Sequence, residues 1–302
     1  MKRSNKLALV IFIGPAVLLY LLIYLYPTVR TTVMSFYTTP TVTSPVSQWS
    51  FAGLGNYLTL INSNMFQASM INLLKIWLYG GVMTLAVALL FAVILTSGVK
   101  FKSFFRAVIY LPNVIAAVAL GTMWLQYVYN AKYGLLKTVF EFLGLKNLAA
   151  IQWTSPEHIF VAMLVAYCFG MVGYFMTTYM AGIERIPRDC YEAATIEGAN
   201  VFHQFFLITL PLLKGVVRTT VVLWGVRSVG FFVWSQVFTP LIPMRATITP
   251  AVYMYRNVFG VDENTVVDVG AGAAVGVVMT LTVVVMFLVI NFILRDKDNV
   301  EF

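Results

Sequence analysis

Six stretches of this chain are so long and so apolar that no soluble core could hold them all. They run at about 7–26, 76–97, 107–129, 159–180, 216–238 and 269–294. Each is near the ~20 residues a helix needs to cross a hydrocarbon core about 30 Å thick. Composition agrees, since 60% of the 302 residues are hydrophobic and only 11% charged, against roughly half and a quarter in soluble domains. Lipid is therefore the expected solvent. Each stretch should be a helix, because a backbone in lipid must satisfy its own hydrogen bonds. The fold class this predicts is an all-α membrane protein with six transmembrane helices in a single domain over residues 1–302. The first stretch is too long for a secretory signal and has no small-residue cleavage site after it, so it reads as a retained span.

Charge sets the orientation. An even number of spans puts both termini on one side. Lys2, Arg3 and Lys6 precede the first span, and Lys100, Lys102 and Arg106 lie between the second and third. Arg185, Arg188 and Lys214 lie between the fourth and fifth, and Arg295 and Lys297 follow the sixth. The opposite side has Arg30, Lys132, Lys137, Lys146, Arg245 and Arg256, spread over longer loops. Short basic connections face the cytoplasm, so both termini are expected there. The net charge of +8 is explained by this bias and needs no nucleic-acid partner. Cys168 and Cys190 are expected to stay unbridged. In the loop after span three, Leu135, Val139, Phe142 and Leu143 recur at helical spacing and predict a short interfacial helix.

The cytoplasmic connection at 184–214 contains YEAATIEGANVFHQFFLITLPLLKG, from Tyr191 to Gly215, which is unusually polar for this chain. Pro187 suits the first turn of a helix, and Asp189 and Glu192 suit its positive end. Gly198 suits the left-handed position that ends it. Asn200 can then cap a second short helix, on which Phe202, Phe205 and Phe206 form an aromatic stripe. His203 reads as a packing or capping residue. Ala193 and Ala194 beside Glu192 make a small face with a carboxylate at its edge. Such a face fits either a docking surface for a partner's basic residue or an ordinary solvated loop.

The spacing resembles the EAA motif of ATP-binding-cassette importer permeases. Glu192-Ala193-Ala194, Gly198, Ile208, Leu210 and Pro211 match its defining positions. FAGLGNY (51–57) and FFRAVIYLPNVIAAVALGTMWLQYVYN around span three are similar to the carbohydrate-uptake, maltose-type branch, and the likeness covers nearly the whole chain. After span five, VFTPLIPMRATITPAVYMY lacks the Gly-Gly-Pro turn found in many members. The resemblance implies that the Glu192–Gly198 helix couples to a cytoplasmic ATPase, with Glu192 meeting a basic residue there. Ile208, Leu210 and Pro211 would anchor the second helix to the membrane domain. It implies a permease subunit of an ATP-driven sugar importer in a bacterial or archaeal inner membrane. Its partners would be a second permease, two ATPase subunits and an extracellular sugar-binding protein. ATP and magnesium would bind in the ATPase, and no cofactor in this chain.

The residues agree that the chain must borrow its energy. No Gly-Lys pair occurs, so there is no phosphate-cradling P-loop. His158 and His203 fall on opposite sides of the membrane and make no metal cluster. For a solute path, Arg227 lies deep in span five, where charge suggests function. Trp224, Ser228, Phe231 and Ser235 recur beside it, and Tyr167, Gly170 and Tyr174 share a face of span four. The other reading pairs Arg227 with an acid of a partner and packs the tyrosines. On the path, Arg227 would admit an acidic saccharide, because guanidinium matches carboxylate bidentately. Gly272 and Gly276 make a small step in span six for close helix packing, internal or with the second permease. Rival readings are an importer of another polar solute, such as glycerol phosphate or polyamine, a secondary transporter, or an intramembrane enzyme. The spans lack the intramembrane carboxylate that a coupling-ion site would use, and no catalytic constellation is present.

Overall fold

The computed structural model describes residues 3–240, 244–260 and 267–294. The helices in chain order begin with α1 (Arg3–Tyr20), α2 (Tyr26–Met34), α3 (Gly55–Asn62), α4 (Asn64–Lys75), α5 (Gly81–Thr96) and α6 (Lys102–Val114). Next come α7 (Ala117–Met123), α8 (Leu135–Phe142), α9 (Lys146–Ala149), α10 (Ile159–Ile183), α11 (Arg188–Ile196) and α12 (Val201–Gln204). The last are α13 (Leu210–Leu212), α14 (Lys214–Val229), α15 (Val233–Phe238), α16 (Pro250–Phe259) and α17 (Val269–Ile293). Single π turns join α1 to α2 and α4 to α5, follow α7, and join α12 to α13. The one sheet among the described residues is a two-stranded antiparallel ladder of β1 (Tyr37–Thr38) and β2 (Ser50–Phe51).

Four helices are long and apolar enough to span a membrane: Val10–Met34, Asn64–Thr96, Ile159–Ile183 and Val269–Ile293. Two bent pairs, Lys102–Val114 with Ala117–Val128 and Val201–Leu212 with Lys214–Val229 (68°), raise the number to six if each is one span. The expected straight third span is the main correction. It breaks after Val114, and the two arms meet at 100°. Pro112 removes a backbone donor near the end of α6, and Ile115 is extended at ψ 136°. The expected fifth span at 216–238 is also interrupted, beyond the end of the second bent pair. α14 ends at Val229, and the six-residue α15 resumes only at Val233. Span two begins earlier than its apolar run, at Asn64. Of the charges that set the expected orientation, Lys2, Arg295 and Lys297 lie outside the described residues, as do the side chains of Arg3 and Lys6.

The chain forms two compact units. In the unit made of 1–67 and 250–281, the FAGLGNY segment works as a backbone staple. Asn56 is buried and donates from Nδ2 to the carbonyls of Ser35 (2.9 Å) and Tyr37 (3.0 Å). The Tyr57 hydroxyl lies 2.7 Å from that of Ser35. Asp268 caps α17 by accepting from the Ala271 amide at 3.1 Å. Along α1 and α2 the most apolar window has no buried residue, so this face is left for lipid or another chain.

The unit made of 68–249 and 282–302 holds the main core. α10 is its axis, with Ala162, Met163, Phe175 and Met176 fully buried. α5, α6, α7, α14 and α15 pack around it. The loop before α16 is tied down by hydroxyls and one amide. Asn72 donates to the carbonyls of Arg245 and Ile248, Ser235 to that of Thr247, and Thr249 to that of Phe231. Thr239, Thr247 and Thr249, in the stretch without a Gly-Gly-Pro turn, thus bond within this unit.

Candidate functional site

The polar segment between α10 and α14 is a helix-turn-helix built from local signals. α11 starts one residue after Pro187, which is its N-cap, so the proline precedes the first turn. Asp189 lies in the first turn and Glu192 in the next. Gly198 ends the helix at φ 82°. Its amide donates to Thr195 O at 3.0 Å, and the Ala199 amide donates to Ala194 O at 2.9 Å. This is the paired Schellman closure that a left-handed glycine permits. Asn200 Oδ1 accepts from the His203 amide at 2.9 Å and stands 2.8 Å from His203 Nδ1. The cap is as the sequence predicts, and it engages His203.

A further set of contacts closes the hairpin. The hydroxyls of Tyr191 and Thr209 lie 2.9 Å apart. Thr195 Oγ1 donates to Tyr191 O at 2.8 Å and accepts from Gln204 Nε2 at 3.0 Å, while Gln204 also reaches Ala199 O at 3.2 Å. Sequence reasoning missed Tyr191, Thr195, Gln204 and Thr209, because no local pattern pairs a tyrosine with a threonine 18 residues away. With the hairpin closed, Glu192 and Ala193 face outward and Ala194 is half-buried. No basic side chain pairs with Glu192 among the described residues. Ile196 is 88% exposed and Phe202 75%. Ile208 and Leu210 are half-buried and Pro211 is exposed, while Leu213, two residues on, lies in the main core.

The polar-aromatic stripe of span five divides in two. Trp224, Ser228 and Phe231 are buried, as is Tyr167 of α10. The Trp224 indole donates to Trp77 O at 2.9 Å, Ser228 Oγ donates to Trp224 O at 2.7 Å, and Tyr167 meets Phe231 edge-on at 4.7 Å. In this conformation these four side chains form a helix-packing seam and offer no surface to a solute. Arg227 and Tyr174 lie on the other side. Arg227 is exposed, with its guanidinium 4.2 Å from the centre of the half-buried Tyr174 ring. Of the two span-six glycines, Gly272 lies directly against Val258 of α16. Gly276 has only ordinary contacts, to Met254 and Thr31.

A mostly helical chain with four helices apolar enough to cross a membrane, or six if each of two bent pairs is one span, is a polytopic membrane protein. The chain belongs to the family described as binding-protein-dependent transport system inner membrane component, which matches residues 84–297. It is thus an inner-membrane component of a transport system and not an enzyme. It is 31% identical over 292 residues to the arabinooligosaccharides transport system permease protein AraP of Halalkalibacterium halodurans, covering 94% of this chain and 86% of that protein. The trehalose/maltose transport system permease protein MalF of Thermococcus litoralis is 28% identical over 252 residues, covering 82% of this chain and 81% of that one. Among solved structures, a chain of a bacterial ABC transporter involved in the import of the acidic polysaccharide alginate superposes with a TM-score of 0.76. It is 17% identical, covering 97% of this chain and 96% of that chain. At that identity the likeness concerns the fold alone.

Proposed function

We propose that the chain is one permease subunit of an ATP-driven saccharide importer, and that residues 1–302 act as one translocation domain with six spans and both termini cytoplasmic. Membership of the family supports the importer class. The names of relatives that carry arabinooligosaccharides and trehalose or maltose support a sugar over glycerol phosphate or polyamine. In this reading a second, different permease completes the path, and an extracellular binding protein delivers the sugar. Two cytoplasmic ATPases, holding ATP and magnesium, drive the cycle. This chain needs no cofactor of its own.

The hairpin of α11 to α13 is the coupling element. The observation that carries this is the outward, unpaired Glu192 on a small face beside the 88% exposed Ile196. An apolar tip with a free carboxylate fits a partner's groove with a cation at its rim. Gly198 fixes the turn, and Ile208, Leu210 and Pro211 carry the motion into α14. ATPase closure then rotates the helices as rigid bodies and switches access. Saccharide passes on the side of α14 and α10 that Arg227 and Tyr174 face, while Trp224, Ser228, Phe231 and Tyr167 hold the helices together. Gly272 and Gly276 serve helix packing. The test is co-purification of the ATPase with Glu192→Lys. The variant should keep its membrane fold, lose the ATPase or its coupled hydrolysis, and stop uptake. Normal transport by that variant refutes the assignment.

A further inference from the structure

We propose that Arg227, held over the Tyr174 ring, is a fixed cationic contact on the solute path, and that the solutes it serves are acidic saccharides bearing carboxylates. The inference rests on the importer reading above and adds the charge class of the cargo.

Three observations converge on this face. The first is depth. Arg227 lies 13 residues beyond Lys214 at the start of α14, roughly 20 Å along the helix at 1.5 Å per residue, within a candidate membrane span. A guanidinium there is costly against lipid, yet Arg227 is exposed. Among the described residues no carboxylate lies within ion-pair distance of it. The second is the backbone. α14 ends two residues later, and Gly230, in the gap before α15, is exposed. Broken backbone at membrane depth is tolerated only where protein covers it or water fills the space beside it. The carbonyl end of α14 also favours a cation in its last turn, which is where Arg227 sits.

The third is the chemistry of the facing helix. Tyr174, Thr177 and Thr178 are half-buried along one face of α10. Both threonine hydroxyls donate to Tyr174 O, at 2.8 and 3.1 Å, which leaves their oxygens free to accept from sugar hydroxyls. The Tyr174 ring fixes the guanidinium from one side at 4.2 Å. Its in-plane N–H groups remain available for an anion, since a cation stacked on a ring keeps its edge donors. An aromatic ring, hydroxyl acceptors and an uncompensated planar cation side by side suit a uronate unit. A neutral sugar would leave the charge unmatched.

The experiment uses the whole importer in proteoliposomes with its own partner subunits and binding protein. The binding protein is first titrated with a trigalacturonate and with a neutral trisaccharide. Binding of the neutral sugar alone overturns the proposal. Uptake is then measured for unaltered protein, Arg227→Met and Arg227→Lys, alongside ATP hydrolysis stimulated by the loaded binding protein and co-purification of all subunits. Arg227→Met should lower uronate uptake by about tenfold or more, the factor that 1.4 kcal/mol represents. Neutral uptake should fall by a clearly smaller factor than uronate uptake, and Arg227→Lys should recover part of the uronate loss. Should the methionine variant fail to assemble, the lysine variant carries the test, with KM raised more for uronate than for the neutral sugar. Equal loss for both sugars, or loss of assembly in both variants, means that Arg227 meets an acid of the second permease and refutes the proposal. Unaltered uronate uptake in Arg227→Met refutes it too. If the unaltered complex hydrolyses ATP without response to any loaded binding protein, the importer reading itself fails and takes the proposal with it.

Discussion

Gly173→Ala should be among the most damaging single-methyl additions in this protein. Gly173 is buried in α10 where α6 crosses it. A β-carbon there would run into the carbonyl oxygen of Ile109, and would stand 2.6 Å from Tyr110 Cα and 3.0 Å from the Ile109 carbonyl carbon. All three are backbone atoms, so no rotamer change can relieve the clash. Ordinary contact begins at 3.4 Å, so α6 must retreat by about 1 Å along a close-packed seam. Overpacking of this kind destabilises by about 1–3 kcal/mol. The retreat also threatens the bond from Asn113 Nδ2 to Gly170 O, already 3.3 Å long. Gly215→Ala is the matched control, since a β-carbon there meets nothing within 4 Å. It should leave stability unchanged or raise it by up to about 1 kcal/mol through helix propensity. Thermal unfolding of the purified protein in detergent, read by fluorescence-detected size exclusion, compares the two. If Gly173→Ala melts with the unaltered protein within error, the α6–α10 seam is not the backbone-limited contact described here.

Two further changes probe the seam and the hairpin. Trp224→Phe removes the indole donor to Trp77 O and leaves a void in the core of the second unit. It should lower stability by about 2–4 kcal/mol, and an unchanged melting temperature would show that Trp224 is not a packing residue. Tyr191→Phe removes one side of the contact with Thr209 and should weaken hairpin closure by about 1 kcal/mol. The readout is faster amide exchange at residues 191–209 with little change in the spans. Exchange that quickens equally throughout α10 would assign Tyr191 to the global fold.

What could be read in advance depended on how local each cause was. Apolar length alone found the four long helices that could cross a membrane, because lipid leaves a helix no alternative. The hairpin was legible because its stops and caps lie within a few residues of what they close, as with Gly198 and Ala194, or Asn200 and His203. The breaks in spans three and five were not read, although each had a local sign. Pro112 stands three residues before Ile115, and Gly230 interrupts an otherwise apolar run. Both were outweighed by hydropathy, which measures burial from water and not continuity of a helix. The burial of Trp224, Ser228, Phe231 and Tyr167 was not legible for another reason. A seam that packs on a neighbouring helix and a wall that lines a path both put rings and hydroxyls on one face, so periodicity cannot separate them. Only the partner decides, and the Trp224 indole finds its acceptor 147 residues away. Periodicity does contain the finer distinction. Three residues separate Trp224 from Arg227, and at 100° per residue Arg227 stands roughly 60° round the helix from the indole. Ser228 lies roughly 100° from Arg227 on that same side, because Trp224 and Ser228 are themselves only about 40° apart. With Trp224 and Ser228 both turned into the core, Arg227 stands at the edge of the seam, where the packing ends and Tyr174 begins the open face.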